Sequence, residues 1–216
     1  MTIAGTTNRC IILFLLIILA GSFTWSNAAL AGPLTLGGAI AGFIVAMITI
    51  FKKTWAPVTA PIYALLQGLF LGGISRMFNE QYQGLPLQAV LLTFGVMAAM
   101  LFLYQSRILR VTDKFRMIIV AATAGIAIFY VATLVLGFFG IQIPKVYEAG
   151  PIGILFSLFV VGIAAFNLAL DFDFIEKGVR AAAPRYMEWY AAFGLMVTLI
   201  WLYLEILRLL SKLQRR

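Results

Sequence analysis

No hydrophilic stretch in this chain is long enough to fold by itself, and the apolar runs between the polar breaks are each about one bilayer long. A helix crossing a bilayer needs ~20 mostly apolar residues, and seven such helices with short loops take up most of 216 residues. The apolar runs are placed at Ile11–Ala29, Pro33–Phe51, Pro57–Ile74, Leu87–Tyr104, Arg116–Phe139, Pro151–Leu170 and Trp189–Leu210. The breaks carry turn chemistry: Ala31-Gly32-Pro33, then Lys52-Lys53-Thr54-Trp55, the polar turn from Asn79 to Pro86, and Ile143-Pro144 through Gly150-Pro151. A transmembrane barrel would alternate apolar and polar residues over ~10-residue strands, and these runs are unbroken. Composition agrees. Hydrophobic residues make up 63% and charged residues 11% of the chain, too little polar surface to coat a water-soluble globule. The expected fold is therefore all-α: a polytopic membrane protein of about seven helices, forming one transmembrane domain over residues 1–216.

The net charge is +8. The cations sit in loops, so membrane orientation accounts for them and nucleic acid is not an expected partner. Lys52 and Lys53 follow the second span. Arg107, Arg110, Lys114 and Arg116 follow the fourth, and Lys177, Arg180 and Arg185 the sixth, whereas the alternate loops hold only Arg76 and Lys145. This asymmetry predicts a cytoplasmic N-terminus. The basic tail (Arg208, Lys212, Arg215, Arg216) would then lie outside, against the rule. Either the earlier loops decide, or the last segment does not fully cross. Arg9, the run Ile11–Ala20 and Ala29-Leu30-Ala31 have the layout of a signal peptide. The run continues through Phe23 and Trp25, longer than such peptides use, and the first segment is read as an uncleaved span. Short loops and the absence of a lysine-rich tail point to a bacterial plasma membrane.

Gly38 with Gly42, and Gly68 with Gly72, have the spacing that lets membrane helices approach closely. Trp25, Trp55, Tyr104, Trp189 and Tyr190 at span ends suit an interfacial aromatic belt. A single cysteine, Cys10, excludes an internal disulfide framework, and there is no histidine. A serine–histidine dyad or zinc-dependent lipid hydrolase in its usual form is thereby excluded. An intramembrane aspartyl protease would need a G-x-G-D motif that the chain lacks. No enzyme activity and no cofactor are expected.

Charges inside a membrane are costly, by ~2.5–3.5 kcal/mol each at mid-bilayer on insertion scales, and so are candidates for function. Asp171 and Asp173 close the sixth run. Glu205 lies well inside the seventh, and Arg208, three residues on, shares its helix face. Asp173, Glu176 and Lys177 read most simply as a solvated helix end, and Arg208 as an internal partner of Glu205 or a side chain reaching the interface. Glu205 itself needs a partner or a proton. Two carboxylates brought together in low dielectric share a proton, and one then titrates nearer neutral pH. Carboxylate and carbonyl oxygens also suit a hard cation such as Ca2+. The residues thus suggest a proton-regulated cation pathway, with lipid, protons and Ca2+ as partners.

At these residues the chain resembles the Bax inhibitor-1 family, also called the transmembrane Bax inhibitor motif family, and within it the bacterial branch. The resemblance rests on the stretches Phe51–Pro57, Ala60–Ser75, Leu170–Glu176 and Leu202–Leu210, and with the span pattern it covers nearly the whole chain. It implies seven helices with the last one central. It also implies a pH-sensitive Ca2+ leak controlled by acidic residues on helices six and seven, here Asp171 and Glu205, which would also be the Ca2+ ligands. Two positions depart from the family pattern. Glu205 stands where aspartate is usual, and Gln67 stands where glutamate is common, so Gln67 cannot titrate. The resemblance also implies a second class of function, a non-transporting regulator of other membrane proteins such as a membrane AAA protease.

Helix geometry limits the acidic pair. With two continuous helices and a tight turn near Ala183, Asp171 sits level with about Phe193, and Glu205 lies ~18 Å further along at ~1.5 Å per residue. The two meet only if the segment Glu176–Glu188 forms a real loop. Otherwise Asp173, or a basic partner such as Arg208, gains importance.

Overall fold

The computed structural model describes residues 1–140 and 150–215. The predicted break at Ile143-Pro144, the loop cation Lys145 and the terminal Arg216 lie outside the described residues. Seven helices are each long and apolar enough to cross a membrane. They are α1 (Ile3–Ser26), α2 (Ala28–Phe51), α3 (Ala56–Gln81), α4 (Leu85–Gln105), α5 (Asp113–Phe138), α6 (Pro151–Arg180) and α7 (Tyr186–Gln214), with a short 3-10 turn at Lys53–Trp55 before α3. The all-α polytopic fold read from the sequence is the fold observed. The last helix is the most buried span: 61% of its apolar window is inside the protein, against 39% or less for each of the others.

Local chemistry explains where the helices begin and end. Thr2 caps α1, its hydroxyl accepting from the Gly5 N–H at 3.0 Å. The helix therefore starts eight residues before the apolar run. Its end is set by Asn27, whose backbone N–H and side-chain Nδ2 both donate to the Phe23 carbonyl, at 3.2 and 2.8 Å. The expected break at Ala31-Gly32-Pro33 is instead inside α2, where Pro33 is the sixth residue. Asn27 competes for the backbone with its own side chain, whereas Pro33 near a helix start removes a single donor. Thr112 caps α5, accepting from the Phe115 N–H at 3.2 Å, with Asp113 favourably placed in the first turn. The polar turn after α3 is built on Gly84, at φ +78°, whose N–H donates to Asn79 Oδ1 at 2.9 Å. The sixth helix runs ten residues past Leu170, and only residues 181–185 separate it from α7.

The described residues divide into two compact units. The first comprises Met1–Pro86 with Asp173–Val197, the second Leu87–Phe172 with Thr198–Arg216. In the first unit, α1 and α2 both pack along α3. The small residues predicted to allow close approach do so: Gly68 faces the backbone of Ile17, Gly72 that of Gly21, and Gly38 the Leu66 carbonyl. The start of α1 is tied to the start of α7. Buried Glu188 Oε1 accepts from the Thr2 N–H at 2.9 Å and the Thr2 hydroxyl at 3.2 Å, and the Met1 ammonium donates to the Ala183 carbonyl. Arg9 lies over the Trp189 ring and Lys53 over the Tyr190 ring. The N-terminus, the α2–α3 connection and the α6–α7 turn therefore share one end of this unit. Arg76 donates to the Trp25 carbonyl at 2.9 Å, where α1 and α3 both finish.

The second unit has an apolar core of Ile119, Ile126, Val160 and Ile163, flanked by Phe115, Phe156, Phe166 and Trp201. Two aromatic contacts, Phe115 with Phe166 and Phe129 with Phe156, join α5 to α6. Polar side chains interrupt this core along one side, and they form the candidate site.

Candidate functional site

Glu205 is the centre of the site. It is 2% exposed, in the middle of α7. Its Oε1 accepts from the Tyr130 hydroxyl at 2.9 Å and from Arg208 Nη1 at 2.8 Å. Arg208 Nη1 also donates to the Tyr130 oxygen at 2.7 Å, and its guanidinium lies 5.1 Å from the centroid of the Tyr130 ring. One carboxylate oxygen thus holds a closed triangle between α5 and α7. The other, Oε2, is buried with no hydrogen-bond partner. An arginine three residues on reaches back to this carboxylate because i and i+3 share a helix face. That selects the internal-partner reading of Arg208.

Asp171 belongs to the same unit. It is hydrogen-bonded to the Thr198 side chain, and its Oδ2 is buried without a partner. Thr198 precedes Glu205 by seven residues, which is two turns, or about 10 Å along α7. The sequence leaves open whether Asp171 and Glu205 meet; in the structure Asp171 is level with Thr198, about two turns from Glu205 along α7. The reason is the α6–α7 hairpin: both helices run to a five-residue turn, so the loop that would have allowed contact is absent. One calcium ion held by both carboxylates needs oxygens within ~5 Å of each other, twice the usual 2.3–2.6 Å bond. A single Ca2+ held by both Asp171 and Glu205 would have to bridge about two turns of α7. Among the described residues, no cluster of three or more acidic or cysteine side chains could hold a metal ion.

The other predicted residues fall elsewhere. Asp173, two residues after Asp171, is in the first unit and pairs with Lys177 at 2.9 Å, one turn on. Glu176 pairs with Arg180 in the same way. Asp173 is buried two turns before the end of α6, whereas Glu176 and Arg180 are nearer that end and more exposed. Gln67 is buried in the first unit, its amide against Gly42, where an added Cβ would lie 2.7 Å from Nε2. It serves there as a packing group between α2 and α3.

Four participants are not legible as site residues in the sequence. Tyr130 and Thr198 are single polar side chains in apolar runs, and their seven-residue distances from Thr123 and Glu205 are the only hint. Asn167 joins Thr123 across α5 and α6 at 2.8 Å. Lys212 reads in the sequence as a tail charge. It is buried, and its Nζ donates to Ser157 Oγ at 2.9 Å and the Gly153 carbonyl at 3.0 Å.

The sequence pattern that defines the Bax inhibitor 1 like family matches residues 1–215. The chain belongs to this family. No curated protein and no solved structure matches it. In this Bax inhibitor 1 like protein, the two acidic positions singled out by the resemblance lie in one unit, Glu205 buried and Asp171 half-buried with its Oδ2 covered. Glu205 is the one held by arginine and tyrosine.

Proposed function

We propose that this protein is an acid-promoted cation leak, with Asp171 and Glu205 as successive protonatable stations on one pathway and Ca2+ as cargo. The observation that carries this reading is the pair of partnerless buried carboxylate oxygens, Asp171 Oδ2 and Glu205 Oε2. Buried polar atoms are nearly always satisfied, so an unsatisfied one in a native core calls for an explanation. In a membrane helix, it marks a place for a proton or a hard cation.

The triangle at Glu205 provides the switch. While ionised, the carboxylate accepts from both Tyr130 and Arg208 and ties α7 to α5. A proton on Glu205 removes the charge that attracts Arg208, loosens the tie and frees α7 to shift. No bond is made or broken in a cargo molecule, so the protein acts without enzymatic chemistry and without a resident cofactor.

In this proposal the protein sits in a bacterial inner membrane with its N-terminus in the cytoplasm. The support is the cation bias of the even-numbered connections. The tail no longer argues strongly against it: Arg208 and Lys212 are used within the second unit, so they do not act as loop charges.

The test is Ca2+ flux into dye-loaded proteoliposomes at pH 6, 7 and 8. Wild-type flux is expected to rise as pH falls. Glu205→Gln imitates the protonated state, so its flux should be high and nearly independent of pH, and Asp171→Asn should flatten the same profile. Wild-type flux no greater than that of empty vesicles at every pH would overturn the leak. The family's second class of function, binding to a membrane protease or another membrane protein, would then become the working reading.

A further inference from the structure

Lysine is almost never fully buried unless it is paired, and Lys212 is 4% exposed in the last turns of α7. Two of its hydrogen-bond partners, the Gly153 carbonyl and the Ser157 hydroxyl, are neutral oxygens in the first two turns of α6. Such oxygens replace the water around a cation in a channel. The electrostatic setting is mixed. Arg208, one turn back, repels the ammonium, and Glu205, two turns back, attracts it. The N-terminus of α6 adds the unfavourable end of a helix dipole. The amine sits against these oxygens despite two unfavourable neighbours.

The position of Lys212 gives this cost a meaning. Thr198, Glu205 and Lys212 recur every seven residues and share a face of α7. On α6, Gly153, Ser157, Asn167 and Asp171 share a face at spacings of four, ten and four. The two rows meet at both ends, through Asp171 with Thr198 and Ser157 with Lys212. The formal charges along them, from Asp171, Glu205, Arg208 and Lys212, cancel. Without Lys212 the row would carry one uncompensated negative charge.

We propose that the Lys212 ammonium is a tethered cation, occupying a cation-binding position formed by the Gly153 carbonyl and Ser157 Oγ and thereby blocking free cations at that end of the row. The blocking consequence rests on the leak reading, but the binding position does not. The block is partial in the wild-type protein and is relieved when the side chain is shortened.

The experiment compares wild type, Lys212→Ala, Lys212→Met and Ser157→Ala in proteoliposomes at pH 8, with n-propylammonium as the probe because it replaces the atoms that the alanine variant lacks. Both Lys212 variants should leak roughly tenfold faster than wild type, equivalent to about 1.4 kcal/mol in the barrier. Ser157→Ala should leak by a smaller factor. Millimolar n-propylammonium should restore the block in Lys212→Ala. It should not do so in Lys212→Met, whose side chain fills the space, and n-propanol should act on neither. Unchanged flux in all three variants, or no block by n-propylammonium, overturns the proposal.

Thermal unfolding in detergent separates this result from failure of the leak itself. If no protein conducts at any pH, the leak reading falls. The binding position then stands if n-propylammonium raises the Tm of Lys212→Ala but not of wild type, and falls if it does not. Should Lys212→Ala not fold, Lys212→Met and Ser157→Ala decide: faster flux than wild type in both sustains the block, and wild-type flux in either overturns it.

Discussion

A Cβ added at Gly72, in the first unit, would lie 2.3 Å from the Gly21 carbonyl oxygen, and one at Gly38 would lie 2.5 Å from that of Leu66. In the second unit, a Cβ at Gly95, Gly125 or Gly162 would meet nothing within 4 Å. The buried charges run the other way. The second unit buries Glu205 and Lys212 and half-buries Asp171, and one oxygen of each carboxylate is covered without a partner. The first unit covers Glu188 and Asp173 with donors at hand, and its one covered atom without a partner among the described residues is Arg9 Nε, on a cation. Membrane helices gain little from apolar association, because lipid is as apolar as they are. They hold together by close backbone packing or by polar contacts. This protein uses the first device mainly in one unit and the second mainly in the other. The difference matters because close backbone contacts leave little room for a larger side chain, whereas a hydrogen-bonded triangle depends on three particular side chains.

The comparison can be broken most severely at the glycines. Gly72→Leu should leave no folded protein in detergent, since backbone atoms at 2.3–2.9 Å cannot yield to a branched side chain. Gly162→Ala should keep the wild-type elution profile and melting curve. If both substitutions were tolerated, the backbone-packed unit would not be the more rigid one.

A smaller effect is expected at the triangle. Glu205→Ala strands Arg208 beside Tyr130. Removing one partner of a fully buried pair costs ~3–5 kcal/mol, and the 36% exposure of the Arg208 side chain places this one at or below ~3 kcal/mol. A lowered midpoint in a detergent-denaturant titration should report it, and Glu205→Ala,Arg208→Met should recover part of the loss. No recovery in the double variant would mean that the charge pair is not what the carboxylate supports.

The smallest effect belongs to the exposed pair Glu176–Arg180. Glu176→Ala should change stability by less than ~0.5 kcal/mol, as surface pairs one turn apart on a helix generally do. It should also leave the pH profile of flux unaltered. A flattened pH profile in this variant would move the sensing function out of the second unit.

Much of this architecture is determined by the sequence. Seven apolar runs of bilayer length, too few charges for a soluble surface, and glycine pairs four residues apart are one-dimensional patterns. Each maps directly onto helix length or helix face, so the fold, the positions able to approach closely, and membership of the Bax inhibitor 1 like family follow without coordinates. The i,i+3 relation of Glu205 to Arg208 is equally local. What the tertiary structure alone decided is which residues from different helices meet. Asp171 finds Thr198 and not Glu205, because a five-residue turn fixes the register of α6 against α7. Tyr130 reaches Glu205 across 75 positions of chain, and Lys212 reaches Ser157 across 55. A tyrosine or serine in an apolar run carries no mark of its partner, and a lysine near a chain's end looks like any other tail charge. Burial and cross-helix register are collective properties of several packed helices, and no periodicity within one helix encodes them.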